Sequence, residues 1–293
     1  MEPRADRRPG TLSRRRLGGR SWLGAALALG LCAAIAIGPA GSALADENAF
    51  FGKETTSQAA LMGIFYDLKQ TQQHAPTGVD VNSYGTVLDE FVSKGFDEGV
   101  LNQYYRASKP MYTTQIYIPV MSASEAPKAF NVEKIVKPSR WVIHYKAQVL
   151  PPEDGTYRFL GYSDDVIFVA VNGQLVLNGS RESFNRLLKK TNWRPSERIA
   201  EYPSGNSHLT AGDWIPLTVN QPIDLDILIG EHPGGQFCAF LLYEKQGASY
   251  PASTGPKPHP VLPLFQVAPY DGVLPAKEGA EVSINQEFWK CLQ

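Results

Sequence analysis

The stretch Gly155–Gly173, GTYRFLGYSDDVIFVAVNG, decides the fold. Tyr157, Phe159 and Gly161 alternate with polar or small residues. Beyond the acids, Ile167, Val169 and Val171 fall on one face while Phe168 and Ala170 fall on the other. That period of two reads as strand, acidic turn, strand. Asn172-Gly173 then supplies a turn dipeptide that tolerates φ > 0, and Gln174 to Leu177 begin the next strand. Asp164 and Asp165 therefore sit together where two strands meet. Two carboxylates that close repel unless something positive lies between them, and hard oxygen donors suit calcium better than zinc. In the competing reading the pair caps strand ends and accepts hydrogen bonds from loop amides, as aspartates in turns commonly do.

Working outward, Trp141 to Leu150 places Trp141, Ile143, Tyr145, Ala147 and Val149 on one face, and YTTQIYIPVM before it alternates Ile116, Ile118 and Val120. Residues 122–139 are a connector rich in Ala, Pro, Lys and Glu, and Pro151 to Gly155 reads as a tight hairpin turn. The segment AALMGIFYDLK, Ala59 to Lys69, opens the domain, and residues 84–105 read as one short helix and a loop. Residues 178–212 form a long polar insertion with a helical turn in RESFNRLLKK; loops of that size are usually functional or mobile. WIPLTVN, IDLDILIGE and GGQFCAFLLYEKQ follow as closing strands, apolar enough to be buried. After Tyr250 comes the Pro-rich run PASTGPKPHPVLPLF, and the last thirty or so residues have too little periodicity for a second domain.

The order Gly-x-Tyr-x-Phe, three residues, Asp-Asp, strand, Asn-Gly, strand resembles the PA-fourteen domain family. So does Gly63-Ile64-Phe65-Tyr66-Asp67 at the start, and the segment from Gly212-Asp213-Trp214 through Glu231 to Gly235 resembles the family's closing hairpin. The resemblance runs from about Leu61 to Gln246 and implies a mainly β fold, an antiparallel β-sandwich. A short helical insertion and an extended Pro-rich C-terminal tail decorate it. In the family motif Gly usually follows the acid pair and Asp precedes the turn Gly; here Val166 and Asn172 stand there. In the family's sugar-binding members the Asp pair, joined by a cis peptide, holds a calcium ion that holds sugar hydroxyls. The resemblance implies those roles for Asp164 and Asp165.

Residues 1–45 read as an export signal. Arg14, Arg15, Arg16 and Arg20 precede an apolar run from Trp22 to Ile37, and Ala43-Leu44-Ala45 offers a small-x-small cleavage site before Asp46. The run is short for a membrane anchor, and Ser13 to Leu17 also fits a twin-arginine pattern. The whole chain has 28 basic and 29 acidic residues; removing seven Arg with Glu2 and Asp6 leaves 21 and 27, a net charge of −6. A mildly acidic exported chain without a basic stripe is a poor partner for nucleic acid or anionic membrane. The expected organisation is signal 1–45, lead-in 46–60, sandwich 61–248 and tail 249–293, in a secreted, periplasmic or cell-envelope location. Cys238 and Cys291 remain after signal removal. An oxidising compartment would let them pair as a disulfide; otherwise Cys238 in FCAFLLY is a small buried hydrophobe.

In the implied fold the closing segment GEHPGGQF lies beside the acid pair. Glu231 then becomes a third metal ligand, His232 and Gln236 ligand contacts, and Trp193 from the insertion a ring for stacking on a sugar. The bland alternatives are solvated loop residues for Glu231 and His232 and a packing role for Trp193. No nucleophile elbow, zinc-protease helix, phosphate loop or dinucleotide fingerprint occurs, and the five His residues are scattered. Adjacent residues of one turn rarely hold carboxyls the ~5 to 9.5 Å apart that glycoside hydrolysis needs. The expectation is a non-catalytic module that binds a glycan or cell-surface polysaccharide through calcium. The alternative is a scaffold component contacting other envelope proteins. An open acidic site favours the first and a covered one the second.

Overall fold

The computed structural model describes residues 50–55, 59–185, 189–190, 192–204, 207–254, 258–269, 281–284 and 287–292. The expected signal 1–45 lies outside them. Fourteen strands and three α-helices are formed among the described residues. In chain order the strands are β1 Leu61–Asp67, β2 Tyr105–Arg106, β3 Met111–Thr113, β4 Tyr117–Ser122, β5 Trp141–Leu150, β6 Gly155–Asp164 and β7 Val166–Val171. Then follow β8 Gln174–Asn178, β9 Glu197–Ser204, β10 Ser207–Ala211, β11 Ile215–Leu217, β12 Ile223–Glu231, β13 Gln236–Lys245 and β14 Lys290–Leu292. The helices are α1 Tyr84–Ser93, α2 Glu125–Ala129 and α3 Glu182–Asn185.

Two antiparallel sheets result. One has the order β2-β1-β5-β12-β7-β8, with β3 on β1 and β14 on β5; the other runs β4-β13-β6-β10-β9, with β11 on β6. Trp141, Ile143, Tyr145, Ile167, Val169 and Ile229 from the first sheet pack with Phe159, Phe237 and Leu241 from the second as the main core. Trp141 meets Phe237 edge to face across the sheets, ring centroids 4.9 Å apart.

Both outer faces are also covered. Val142, Phe168 and Leu228 carry Leu88 and Phe91 of α1 on the first sheet, whereas Leu160, Tyr162, Phe240 and Leu242 carry Leu262 and Leu264 of the C-terminal segment on the second. This double covering explains why β7 and β13 are apolar at successive positions rather than alternating. No helix among the described residues is long and apolar enough to cross a membrane.

Several sequence expectations change at this level. Pro151 to Gly155 is no hairpin turn, because β5 and β6 belong to different sheets and the chain crosses between them. The same holds for Asp164-Asp165, between β6 and β7, and for the segment between β12 and β13. The hairpin in this region is β7–β8, where Asn172 (φ 51°) and Gly173 (φ 75°) take the left-handed pair of conformations expected of them. Within the polar insertion β9 and β10 form a hairpin that extends the second sheet. Val120 points outward, 48% exposed, beside buried Ile118.

The chain's last described segment is built into the sandwich. Trp289 is 0% exposed among Tyr157, Phe159, Tyr243 and Phe265, all with ring centroids 5.4 to 5.6 Å away. The expected disulfide is not formed: Cys238 and Cys291 are both free, buried thiols. Cys238 lies on β13 opposite Asp164 in the second sheet, whereas Cys291 lies on β14 opposite Val149 in the first. The Cys291 thiol instead approaches the carbonyl of Ala60 at 3.6 Å.

Candidate functional site

The register of the sheets sets the site. β13 runs beside β6 with Cys238 opposite Asp164, and β12 runs beside β7 with Gly230 opposite Val166. The two places where the chain changes sheet, at 164–166 and at 231–236, are therefore neighbours. The acid pair and Glu231 meet there.

The peptide between Asp164 and Asp165 is cis. Asp164 is partly exposed, and its Oδ1 accepts from the Arg181 guanidinium at 2.9 Å. Asp165 is 5% exposed; its Oδ2 accepts the backbone N–H of His232 at 3.0 Å, and its Oδ1 stands 3.6 Å from Arg181. Glu231, 1% exposed, takes the backbone N–H of Gly234 on Oε1 at 2.8 Å, while its buried Oε2 has no donor to accept from and the carboxyl meets that of Asp165 instead. Two carboxyls that close share a proton rather than both ionise.

The electrostatics follow from this crowding. Burial first, then the charge of Asp165, pushes the Glu231 carboxyl up to about 9. Burial and the hydrogen-bonded Asp165 raise Asp164 to about 6 in spite of Arg181. The Tyr84 hydroxyl, which donates to the Trp141 carbonyl at 3.1 Å, is pushed up by burial and by the charges of Asp165 and Glu231. Arg181 thus pairs with the two aspartates, while Glu231 beside them keeps its proton at neutral pH.

Gly179 and Gly230 make this crowding possible. A Cβ on Gly179 would come within 2.6 Å of the Gly161 carbonyl oxygen, so only glycine lets the chain pass close over β6 and carry Arg181 to the acids. Once there, the backbone N–H of Arg181 donates to the Asp165 carbonyl at 2.8 Å, and the Ser180 hydroxyl oxygen accepts the Ile167 N–H at 3.2 Å. A Cβ on Gly230 would strike the Tyr84 hydroxyl and approach the Trp141 carbonyl oxygen at 3.0 Å.

The other sequence-predicted residues are placed differently. His232 meets the acids through its backbone; its ring bonds the Val81 carbonyl and packs on Tyr84 and Phe184, centroids 5.2 and 5.7 Å away. Gln236 starts β13 opposite Ser122 and is exposed. Trp193 is a packing residue: its ring rests against the main core and its Nε1–H donates to Asp213 at 2.8 Å. Sequence reasoning missed Arg181 and Tyr84. The requirement for a positive charge between two adjacent carboxylates was the available signal for Arg181.

For a metal, the donor set is all oxygen, the chemistry calcium takes, and the Glu231 carboxyl beside Asp165 would have to give up its proton to join it. As the side chains stand, no group of three or more His, Cys, Asp or Glu among the described residues is arranged to hold one. Arg181 holds the near side of the pair instead.

The model of the PA14 domain family matches residues 131–200, the stretch from before β5 into β9 that contains the acid pair. The resemblance read from the motif is thereby shown for that stretch. No curated protein matches the chain. Among solved structures, the chain is similar to a PA14 sugar-binding domain from an RTX adhesin at 14% identity and TM-score 0.38, covering 66% of this chain and 94% of that one. It is also similar to the PA14 domain of the MpAFP antifreeze protein, at 12% identity, TM-score 0.37, and 67% and 88% coverage. A third likeness is to the Epithelial Adhesin 6 A domain from Candida glabrata in complex with Galb1-3GlcNAc, at 14% identity, TM-score 0.38, and 67% and 84% coverage.

Proposed function

We propose that this protein is an exported, non-catalytic binding module whose acidic sheet crossing holds calcium and, through it, a glycan or cell-surface polysaccharide. The observation that carries the metal part is the convergence of the Asp164, Asp165 and Glu231 carboxyls at one sheet crossing, with Glu231 Oε2 buried beside Asp165. The sugar class rests on the PA14 match over the segment containing the acid pair. Asp164, Asp165 and Glu231 would hold the ion. Bound calcium would supply a hard electrophilic centre with positions left over for hydroxyl oxygens. Asp165 keeps the His232 turn in place and Glu231 keeps Gly234 in place, so both crossings are fixed before any ligand arrives.

The test is calorimetric calcium titration of the chain from Asp46 onward, with melting curves in calcium and in chelator, for the wild type and Asp164→Asn. Saturable binding with a calcium-dependent rise in Tm, both lost in the variant, is the expected result and would be followed by a glycan array. Glycan binding that survives both chelator and Asp164→Asn would sink the mechanism.

A second reading has an observation of its own. Asp165 and Glu231 are only 5% and 1% exposed, and Arg181 already neutralises part of the charge. A covered junction of this kind suits a scaffold module that contacts envelope proteins through its surface. In that case Asp164→Asn changes Tm equally with and without calcium.

A further inference from the structure

We propose that Arg181 is a tethered cation that competes with calcium for the acid pair and so sets the affinity of the site; this rests on the calcium reading above. Its guanidinium lies 2.9 Å from Asp164 Oδ1 and 3.6 Å from Asp165 Oδ1. Among the described residues its ion-pair partners are these two aspartates. The pair therefore already has a counter-charge before any metal arrives.

The attachment is asymmetric. The backbone of Arg181 is fixed to the crossing by its N–H on the Asp165 carbonyl at 2.8 Å, and Ser180 just before it is bonded to Ile167. Gly179 keeps this segment pressed against β6, where a side chain would collide with the Gly161 backbone. The side chain itself is 36% exposed. A guanidinium on a four-torsion arm can swing into water while its Cα stays in place. It cannot remain where it is when a divalent ion takes the same oxygens, because like charges that close repel strongly.

Two consequences follow for the metal. Calcium binding has to break a charge-assisted hydrogen bond that monovalent Arg181 makes within the chain. And the charge the metal meets is that of the aspartate pair offset by one cation, whereas without Arg181 the offset disappears. Pairs of this partly exposed kind contribute modestly, so the effect expected of removing the guanidinium is a roughly tenfold gain in calcium affinity.

The experiment is calcium chloride titration by calorimetry of the wild type, Arg181→Gln and Arg181→Lys, with melting curves of each in chelator and in saturating calcium. Arg181→Gln should bind about tenfold more tightly than the wild type, with Arg181→Lys between them. In chelator Arg181→Gln should melt below the wild type, since its acids have lost their counter-ion, and saturating calcium should close that gap. Binding seen in Arg181→Gln alone would also support the proposal. Equal affinities in all three would overturn it and leave the calcium reading standing. No calcium binding by any of them would overturn both. Should Arg181→Gln fail to fold in chelator, the wild type and Arg181→Lys decide: equal affinities count against the proposal, a tighter Lys variant for it.

Discussion

Replacing Glu231 by Gln should make the metal-free protein more stable at neutral and alkaline pH. In the unfolded chain this carboxyl titrates at 4.5, whereas in the fold burial and Asp165 hold its proton until about 9. The folded state therefore binds more protons than the unfolded state between those limits, and stability falls as pH rises through the window. Each pH unit costs about 1.4 kcal/mol, so relative to acid pH the loss is about 3.5 kcal/mol by pH 7. Part of the titration belongs jointly to Glu231 and Asp165, which spreads it over a wider range. Gln keeps an acceptor for the Gly234 N–H and has no proton to lose, so we expect a gain of about 4 kcal/mol at pH 8 that shrinks towards pH 5. For a domain of this size that is a Tm rise of about 8–16 °C. Urea and thermal melts of both proteins from pH 5 to 9 in chelator would measure it. A Gln variant less stable at pH 8, or a difference that does not change with pH, would refute the reasoning about Glu231.

Trp289→Ala removes a side chain that is 0% exposed and ringed by four aromatics, and should cost about 3–5 kcal/mol in urea unfolding; a change below 1 kcal/mol would mean the C-terminal segment is not part of the core. His144 is buried beneath Phe91 and Phe96, bonded to Asp226 at 2.7 Å and 3.4 Å from Glu98, which in turn pairs with Lys146. Burial alone would lower its pKa, but the bond to Asp226 and the nearby Glu98 carboxylate outweigh that and raise it above 6.5. Its stabilisation is thus complete below the unfolded value near 6.5 and fades as pH climbs through the higher folded value. In the Glu231→Gln background, where the other falling contribution is gone, His144→Gln should flatten the remaining loss of stability above neutral pH; an unchanged slope would exclude His144 as its source.

The strands were legible in the sequence because periodicity records burial. Ile167, Val169 and Val171 face the main core while Phe168 and Ala170 face the α1 layer, as their alternation required. What periodicity does not record is which sheet a strand joins. β6 and β7 adjoin in sequence and would pair in a hairpin, yet they separate into two sheets, and the same is true of β5–β6 and β12–β13. Asp164, Asp165 and Glu231 could be grouped from the motif order. The positions of Trp193 and Arg181 could not, because the 178–212 segment has the polar composition of a loop. There β9 and β10 lie at the end of the second sheet, where one strand side has no partner to demand an apolar pattern.

The crossings also explain why acids stand there at all. A hairpin turn keeps most of its backbone groups in the ladder between its own strands, whereas a chain that changes sheets leaves amides with no strand opposite. The His232 and Gly234 N–H groups are two such amides, and Asp165 and Glu231 satisfy them. Each acid thus has a structural task that needs only one of its oxygens. Arg181 takes Asp164 Oδ1 and leans on Asp165 Oδ1, while the Glu231 carboxyl keeps its proton against Asp165. A site evolved only to close the junction would be served as well by Gln at 231. Glu at 231 differs from Gln in that it can give up its proton, so the calcium site proposed above would lose a ligand charge in Glu231→Gln.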